Sequence, residues 1–279
     1  MDPECLYGAW AANIVAFNSS GPCELAAQFL AIAKKQKATG PLMIGHRLMG
    51  TSLTHTGDLV GSLAHYDQAI AMYDPAEHGS LATRFGQDAR VAAWSYRSLT
   101  LWLLGRPDAA LTDVENALNA ARKTRHAATL LYALTCTNLT QIGCRNYEAV
   151  RAQSDEAIAL ADEKVGAQSY WKAHAMIERG ESLLALTGKA ADAANVLASG
   201  IGAYRSTAAT LYAPWHLSSL ASAYADLGQF DEAWRCIREA LTEVETAKVS
   251  VWEAEVNRVA GQIALQSPER DTSKTETYC

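Results

Sequence analysis

The stretch 217-LSSLASAYADLGQFDEAWRCIREAL-241 decides the fold, because its apolar residues recur at helical spacing on both sides of one glycine. The residues that set this spacing are Leu217, Leu220 and Tyr224 before Gly228, and Ala233, Ile237 and Ala240 after it. Residues three and four apart share one face of a helix. The stretch therefore predicts two amphipathic helices joined by one tight turn, which is a helical hairpin.

The same spacing recurs in the segments 46–70, 94–118 and 177–201. All four copies carry glycine or alanine at the turn and at the points where helices cross. In chain order these small residues are Gly50, Gly57 and Ala69, then Gly105, Ala110 and Ala117, then Gly188 and Ala193, and finally Ala221, Gly228, Ala233 and Ala240. Small residues let neighbouring helices approach closely, so the pattern indicates hairpins that stack on one another.

The repeats predict an all-α protein: a right-handed superhelix (solenoid) of stacked antiparallel helical hairpins over residues 1–265. We expect about five to six hairpins, with the first and last incomplete, and a disordered polar tail over 266–279. Residues 127–161 fit the pattern poorly, because their turn, 143-GCRNYE-148, is displaced by about one residue. Residues 5–36 are a degenerate copy.

Composition excludes several classes of partner. The net charge of −6 gives no basic patch for nucleic acid. The longest uncharged run, 5–23, contains Asn, Ser, Gly and Pro, so we expect no membrane span. The six cysteines have neither metal-ligand nor redox-motif spacing, which favours free thiols and a cytoplasmic location.

No catalytic, cofactor or metal site is predicted. The single Gly-Lys pair, in 187-TGKA-190, lacks the other residues of a phosphate-binding loop. The histidines His46, His55 and His65 lie nine and ten residues apart without the converging neighbours that a metal requires. Glu178 and Glu181 are three apart on one helix, and we interpret them as surface or groove charges rather than an acid–base pair. We therefore expect no enzyme activity from this chain.

The repeat pattern resembles the tetratricopeptide repeat. The runs 73–111, 204–234 and 252–265 further resemble the C-terminal repeat region of bacterial signalling regulators, in which a class III adenylate or guanylate cyclase domain, or a DNA-binding domain, precedes an ATPase module. The resemblance implies a protein-docking arm whose partners are a protein, a peptide or other domains of such a regulator. It also leads us to expect a fragment that lacks the catalytic domains. Two alternatives stay open: an arm that senses a small effector and controls an ATPase or cyclase, and a non-functional truncated product.

The first helices of stacked hairpins line a concave surface, and this predicts a groove for a peptide. The residues predicted to face inward are Arg47, His55, Ser95, Trp102, Tyr132, Glu178, Trp215 and Ser222. Aromatic anchors with a few polar groups suit peptide recognition. The alternative is that Trp102 and Trp215 are interhelical core. Uncapped ends of the array also predict self-association.

The stretch 73-YDPAEHGSLATRFGQD-88 interrupts the repeats and is predicted to be an insert between two hairpins. Pro75 disfavours helix at the residue before it, and a final aspartate is placed to cap the next helix. The candidate ligand contacts in the insert are His78, Arg84, Gln87 and Asp88. The alternative is an insert that Leu81 and Phe85 fix over the repeats without any ligand.

Overall fold

The computed structural model describes residues 2–17, 21–163, 169–247 and 250–267. Within these ranges every regular element is a helix. The helices are α1 (Pro3–Val15), α2 (Gly21–Gln36), α3 (Thr39–Thr56), α4 (Leu59–Ala71), α5 (Pro75–His78), α6 (Leu81–Phe85), α7 (Ala89–Leu103), α8 (Pro107–Thr124), α9 (Ala127–Gly143), α10 (Tyr147–Glu163), α11 (Ser169–Thr187), α12 (Ala190–Arg205), α13 (Ala213–Asp226), α14 (Phe230–Ala247) and α15 (Glu253–Gln266), with a 3-10 turn at Ser250–Trp252.

The long helices pair as hairpins that stack along the chain. The packed pairs are α1 with α2, α3 with α4, α7 with α8, α9 with α10, α11 with α12, and α13 with α14. The first helices also pack on one another in the order α3, α7, α9, α11, α13 and α15, which we call the inner helices. The predicted all-α array of helical hairpins is therefore confirmed, and residues 127–161 form one of its hairpins.

A glycine with a left-handed backbone conformation follows the first helix in each of the four hairpins that match the repeat pattern. Gly57, Gly105, Gly188 and Gly228 all have φ between 64° and 90°. In the poorly matched hairpin Arg145 takes the corresponding place, with φ 59°. Its amide donates to the Ile142 carbonyl at 2.9 Å.

Small residues lie where the helices cross. The alanines of the repeat pattern are fully buried: Ala69, Ala110, Ala117, Ala193, Ala221, Ala233 and Ala240. At Gly50 a Cβ atom would come within 2.8 Å of the Tyr66 ring, so this crossing admits only glycine without a shift of that ring.

The insert between α4 and α7 is folded. Asp74 caps α5 by accepting from the Ala76 amide at 2.8 Å, and the Asp88 carboxylate caps α7 by accepting from the Arg90 and Val91 amides at 3.0 Å each. Phe85 in α6 is buried and packs edge-on against the Tyr7 ring. The insert is thus held by its own caps and by contact with α1.

The array closes on itself, which the sequence did not predict. The Val15 carbonyl at the end of α1 accepts from the Thr210 and Leu211 amides at 3.0 and 3.2 Å. Near the other end, Trp252 donates its indole N–H to the Leu211 carbonyl at 3.0 Å, and its ring lies 6.3 Å from that of His55 in α3. The N-terminal helices therefore contact residues about 200 positions later and cover part of the concave surface.

The described ranges expose few large apolar side chains. Large aliphatic side chains are exposed at Val60 in α4, at Leu227 directly after α13 and at Leu265 in α15. None of the described helices is long and apolar enough to cross a membrane. Nearly all of the predicted polar tail, 268–279, lies outside the described residues, so its disorder stays a prediction.

Candidate functional site

The predicted groove is wrong for most of its residues, because the array is closed. Six of the eight residues expected on an open surface are instead buried: Arg47, His55, Ser95, Tyr132, Glu178 and Trp215. The first five line no surface groove. Arg47 is covered by Tyr7 and Trp10 of α1, and His55 is covered by Tyr212 of the segment 206–212. A side chain that no partner can reach does not contact a peptide.

Two of these buried residues, Arg47 and His55, pack against aromatic rings. The Arg47 guanidinium lies 5.4 and 5.2 Å from the ring centroids of Tyr7 and Trp10 and donates to the Tyr7 hydroxyl at 3.1 Å. His55 is surrounded by aromatic rings, and neither of its ring nitrogens has a hydrogen-bond partner within the described part of the chain. Burial lowers its pKa to about 3, so it is a neutral core residue.

The other three predicted groove residues, Trp102, Trp215 and Ser222, line one cavity of about 550 Å³. We call this the inner-helix cavity, because α7, α9, α11, α13 and α15 all contribute to its wall. Its full lining is Trp102, Ile142, Gly143, Arg145, Tyr147, Glu181, Leu184, Ala185, Trp215, Ser219, Ser222, Glu255, Arg258 and Val259. It is the part of the concave surface that the closure leaves open.

Glu181 gives the cavity a buried carboxyl group. Its Oε1 accepts from the Trp215 indole N–H at 2.9 Å and from the Ser219 hydroxyl, whereas its Oε2 has no hydrogen-bond partner among the described residues. Burial, with a further contribution from the negative charge of Glu178, raises the pKa of Glu181 to about 8. Of the predicted surface or groove charges, neither Glu178 nor Glu181 is a surface charge, since both are buried, whereas Glu181 does line the cavity.

Glu178 itself belongs to the core beneath the cavity. Its carboxylate lies 2.9 Å from His174 Nδ1 and accepts from the Asn138 amide at 2.8 Å. Burial raises its pKa. It lines no part of the cavity, so it acts on Glu181 through its charge alone.

Two tryptophans form aromatic walls of the cavity. Trp215 is buried and packs edge-on against Trp252 at 5.1 Å between centroids. Trp102 is partly exposed and lies on the backbone of Gly143, where an added Cβ atom would be 2.4 Å from the indole ring. The absence of a side chain at Gly143 thus permits the position of the Trp102 ring.

Charged groups lie around the mouth. Arg258 is held by Glu255 through two hydrogen bonds of 2.6 Å. Arg145 is exposed and takes part in none of the ion pairs found among the described residues. Its left-handed backbone costs free energy for a residue with a Cβ atom, and such strain is often found at functional sites.

The insert residues lie elsewhere. His78 is buried, and its Nδ1 accepts from the Asp74 amide at 2.9 Å, while Asp88 is buried as the cap of α7. Arg84 pairs with Glu4 on the surface, and the Gln87 amide lies 3.1 Å from the Tyr7 hydroxyl. All four are thus engaged within the fold, and none lines the inner-helix cavity.

A second depression lies between the insert and the hairpin of α7 and α8. It measures about 690 Å³, and its lining includes Tyr73, Asp88, Trp94 and Lys123. Of the four candidate insert contacts only Asp88 reaches it, and that carboxylate is already bound to the helix it caps. The other polar side chains in its lining are Arg90, Asn116, Asn119, Lys123 and Thr124.

The three N-terminal histidines do not converge. The Nδ1 atoms of His46 and His65 lie 3.0 Å apart, and burial lowers the pKa of both side chains. His55 faces the closed interior instead. In the described ranges no cluster of three or more His, Cys, Asp or Glu side chains could hold a metal ion.

Comparison with known proteins supports the fold. A family model described as tetratricopeptide repeat matches residues 214–239, which span α13 and the first half of α14. None of the curated proteins matches the chain.

Several solved structures have a similar fold. The apo form of RapI is 12% identical with a TM-score of 0.56, and the match covers 84% of this chain and 80% of RapI. Aspartyl phosphate phosphatase F from Bacillus subtilis is 12% identical with a TM-score of 0.57, covering 91% of this chain but only 63% of that protein. A tetratricopeptide repeat protein from Parabacteroides merdae is 15% identical with a TM-score of 0.52, covering 99% and 90%. At such low identity the likeness shows the helical-repeat fold alone.

Proposed function

We propose that the chain is a non-catalytic protein-interaction module that binds an extended peptide segment of a partner protein at the inner-helix cavity. The observation that carries the proposal is the convergence of Trp102, Trp215 and Glu181 from three of the inner helices, α7, α13 and α11, on one open cavity. Aromatic side chains dominate the binding free energy of interfaces when they line a pocket that excludes water. A cavity of this size receives one anchor side chain and its neighbours.

The proposal also includes a cellular role. The resemblance to the repeat region of bacterial cyclase–ATPase regulators supports a regulatory arm that works in the cytoplasm beside such domains. Free thiols at all five cysteines of the described ranges are in keeping with a reducing compartment. The partner would then be another protein of the same signalling system or another domain of the same regulator.

A library of synthetic seven-residue peptides tests the binding function. We expect the folded chain to select peptides from it, and Trp102→Ala to weaken the selected peptides at least tenfold, because that ring forms an exposed wall. Trp94→Ala is the matched control: Trp94 lies in the same helix and is also partly exposed, but it faces the other depression. Equal loss in both variants, or no selected peptide at all, contradicts the proposal.

A small effector is the second candidate ligand, and the cavity volume of about 550 Å³ favours it, since it falls in the usual range of small-molecule sites. A ligand that binds only the folded state raises its stability. Thermal-shift screening of small metabolites against the wild-type chain and Trp102→Ala separates the two candidates. Stabilisation by a metabolite that Trp102→Ala abolishes supports the effector.

A further inference from the structure

We propose that the anchor received by the inner-helix cavity is a single basic side chain, lysine or arginine, whose cation pairs with Glu181. This inference rests on the proposed peptide-binding function and specifies the partner's chemistry. Three independent features of the cavity support it: an incompletely bound carboxyl group, aromatic walls, and the arrangement of charge between its floor and its mouth.

One oxygen of the Glu181 carboxyl group is incompletely bound. Both donors that reach the group, from Trp215 and Ser219, bind Oε1, and no described residue donates to Oε2. A buried polar atom without a partner costs about 1–3 kcal/mol. In its ionised form the carboxylate only accepts hydrogen bonds, so the group that completes it in that form is a donor, and a cationic donor also offsets the negative charge.

The walls of the cavity suit the same cation. Trp102, Trp215 and Tyr147 contribute aromatic rings to the lining. A lysine or arginine side chain has an apolar stem that packs on such rings, and its charged end is attracted to their faces. A hydrophobic anchor would gain from the rings but would leave Glu181 incompletely bound.

Charge is divided between the floor and the mouth. The buried acid lies at the floor, whereas Arg145 lies exposed at the mouth. Arg258 does not reach the acid as a counter-ion, because Glu255 holds it through two hydrogen bonds. A positive charge at the mouth repels a run of basic residues, so the preferred segment has one basic residue with neutral or acidic neighbours.

Binding of such an anchor depends on pH. In the free chain the pKa of Glu181 is raised to about 8, so the group is mostly protonated at neutral pH and must lose its proton to pair with a cation. The affinity for the basic anchor then falls by about tenfold for each pH unit below that pKa, until the pH reaches the pKa of Glu181 in the bound state. The groups that act on Glu181 are Glu178 on its own helix, Trp215 and Ser219 on α13, and Glu255 on α15, and the cavity also holds Tyr147, Arg145 and Arg258.

Three synthetic peptide libraries with the fixed central residue lysine, norleucine or glutamate test the inference on the full chain. We expect binders chiefly from the lysine library, and replacement of lysine by norleucine in each binder to weaken it at least tenfold. Glu181→Gln should remove this preference together with the pH dependence between pH 6 and 8. Glu115→Gln, which changes an exposed carboxylate of α8, is the matched control and should retain both.

The outcomes separate the two proposals. Binders that need Trp102 but carry norleucine or glutamate at the anchor overturn the basic anchor and leave the peptide-binding function standing. An unchanged lysine preference in Glu181→Gln, with a helical circular dichroism spectrum, also overturns it. Failure of all three libraries overturns both proposals.

Discussion

Two glycines in the same helix offer a matched test of how α11 and α12 pack. Gly200 and Gly202 both lie within α12. A Cβ atom on Gly200 would lie 2.7 Å from Ile177 Cγ1 and 3.1 Å from the Ile177 backbone nitrogen, whereas nothing lies within 4 Å of a Cβ atom on Gly202. We expect Gly200→Ala to destabilise the protein and Gly202→Ala to stabilise it.

The difference between the two variants isolates the packing contribution. Both substitutions gain about 0.5–1 kcal/mol because alanine favours the helix over glycine, and this gain cancels in the comparison. Overpacking of a close contact costs about 1–3 kcal/mol. Because one neighbour of Gly200 is a backbone atom, a rotamer change of Ile177 cannot relieve the contact fully, and the two helices must separate slightly.

Urea unfolding followed by far-ultraviolet circular dichroism measures this difference. For a chain of 279 residues it corresponds to roughly 2–5 °C in melting temperature. Repeat arrays can unfold in more than one step, so amide hydrogen exchange in α11 and α12 should accompany the titration and show faster opening in Gly200→Ala. If Gly200→Ala is as stable as Gly202→Ala, the close packing of α11 on α12 is refuted.

Four further substitutions test individual side chains. His55→Phe should retain the ring contacts and remove a loss of stability in acid. Burial lowers the pKa of His55 in the folded protein to about 3, so the wild type is fully stable above pH 6.5 and its free energy of unfolding falls by about 2 kcal/mol at pH 5. Urea unfolding of both proteins at the two pH values measures this difference. Glu181→Gln should remove a loss of stability that occurs as the pH rises. The pKa of Glu181 is raised from 4.5 to about 8 in the folded protein, so the wild type loses stability between these pH values. If the free energy of unfolding depends on pH in the same way in both proteins, this expectation is contradicted. Arg145→Gly should stabilise the chain by about 0.5–1 kcal/mol, since φ of 59° is strained for a residue with a Cβ atom. Arg125→Gly, at φ 53° and outside the inner-helix cavity, should stabilise similarly, but only Arg145→Gly should alter peptide binding; equal effects on binding would remove Arg145 from the site.

Local order could be predicted from the sequence because it depends on short-range rules. Helical periodicity and turn glycines located the hairpins, and the cap at Asp88 followed from its position before α7. Residues 127–161 matched the pattern poorly because Arg145 takes the left-handed backbone conformation that glycine takes in the other hairpins. A sequence pattern depends on residue types alone. It does not indicate a left-handed backbone at a residue other than glycine when packing in the folded protein imposes that conformation.

The closure of the array and the burial of Glu181 could not be predicted by the same means. Contacts such as that between Ser250 and Thr56 join residues 194 apart, and periodicity along a helix is the same in an open array and a closed one. One signal was present: residues 127–143 contain no charged side chain, and α9 is buried on nearly all sides. A helix without a polar face indicates neighbours all around it, which is incompatible with an open groove along its inner side.

The position of the cavity follows from where the closure ends. The segments 206–212 and 250–252 fill the concave surface opposite α1 and α3, whereas small residues such as Gly143, Ala185 and Ser219 leave space beyond them. Trp215 connects the two regions, because its indole N–H binds Glu181 and its ring packs on Trp252. A cation that draws Glu181 into its charged form strengthens the hydrogen bond from Trp215 and so holds the ring against Trp252. Occupation of the cavity by the proposed anchor should therefore stabilise the contacts that close the array.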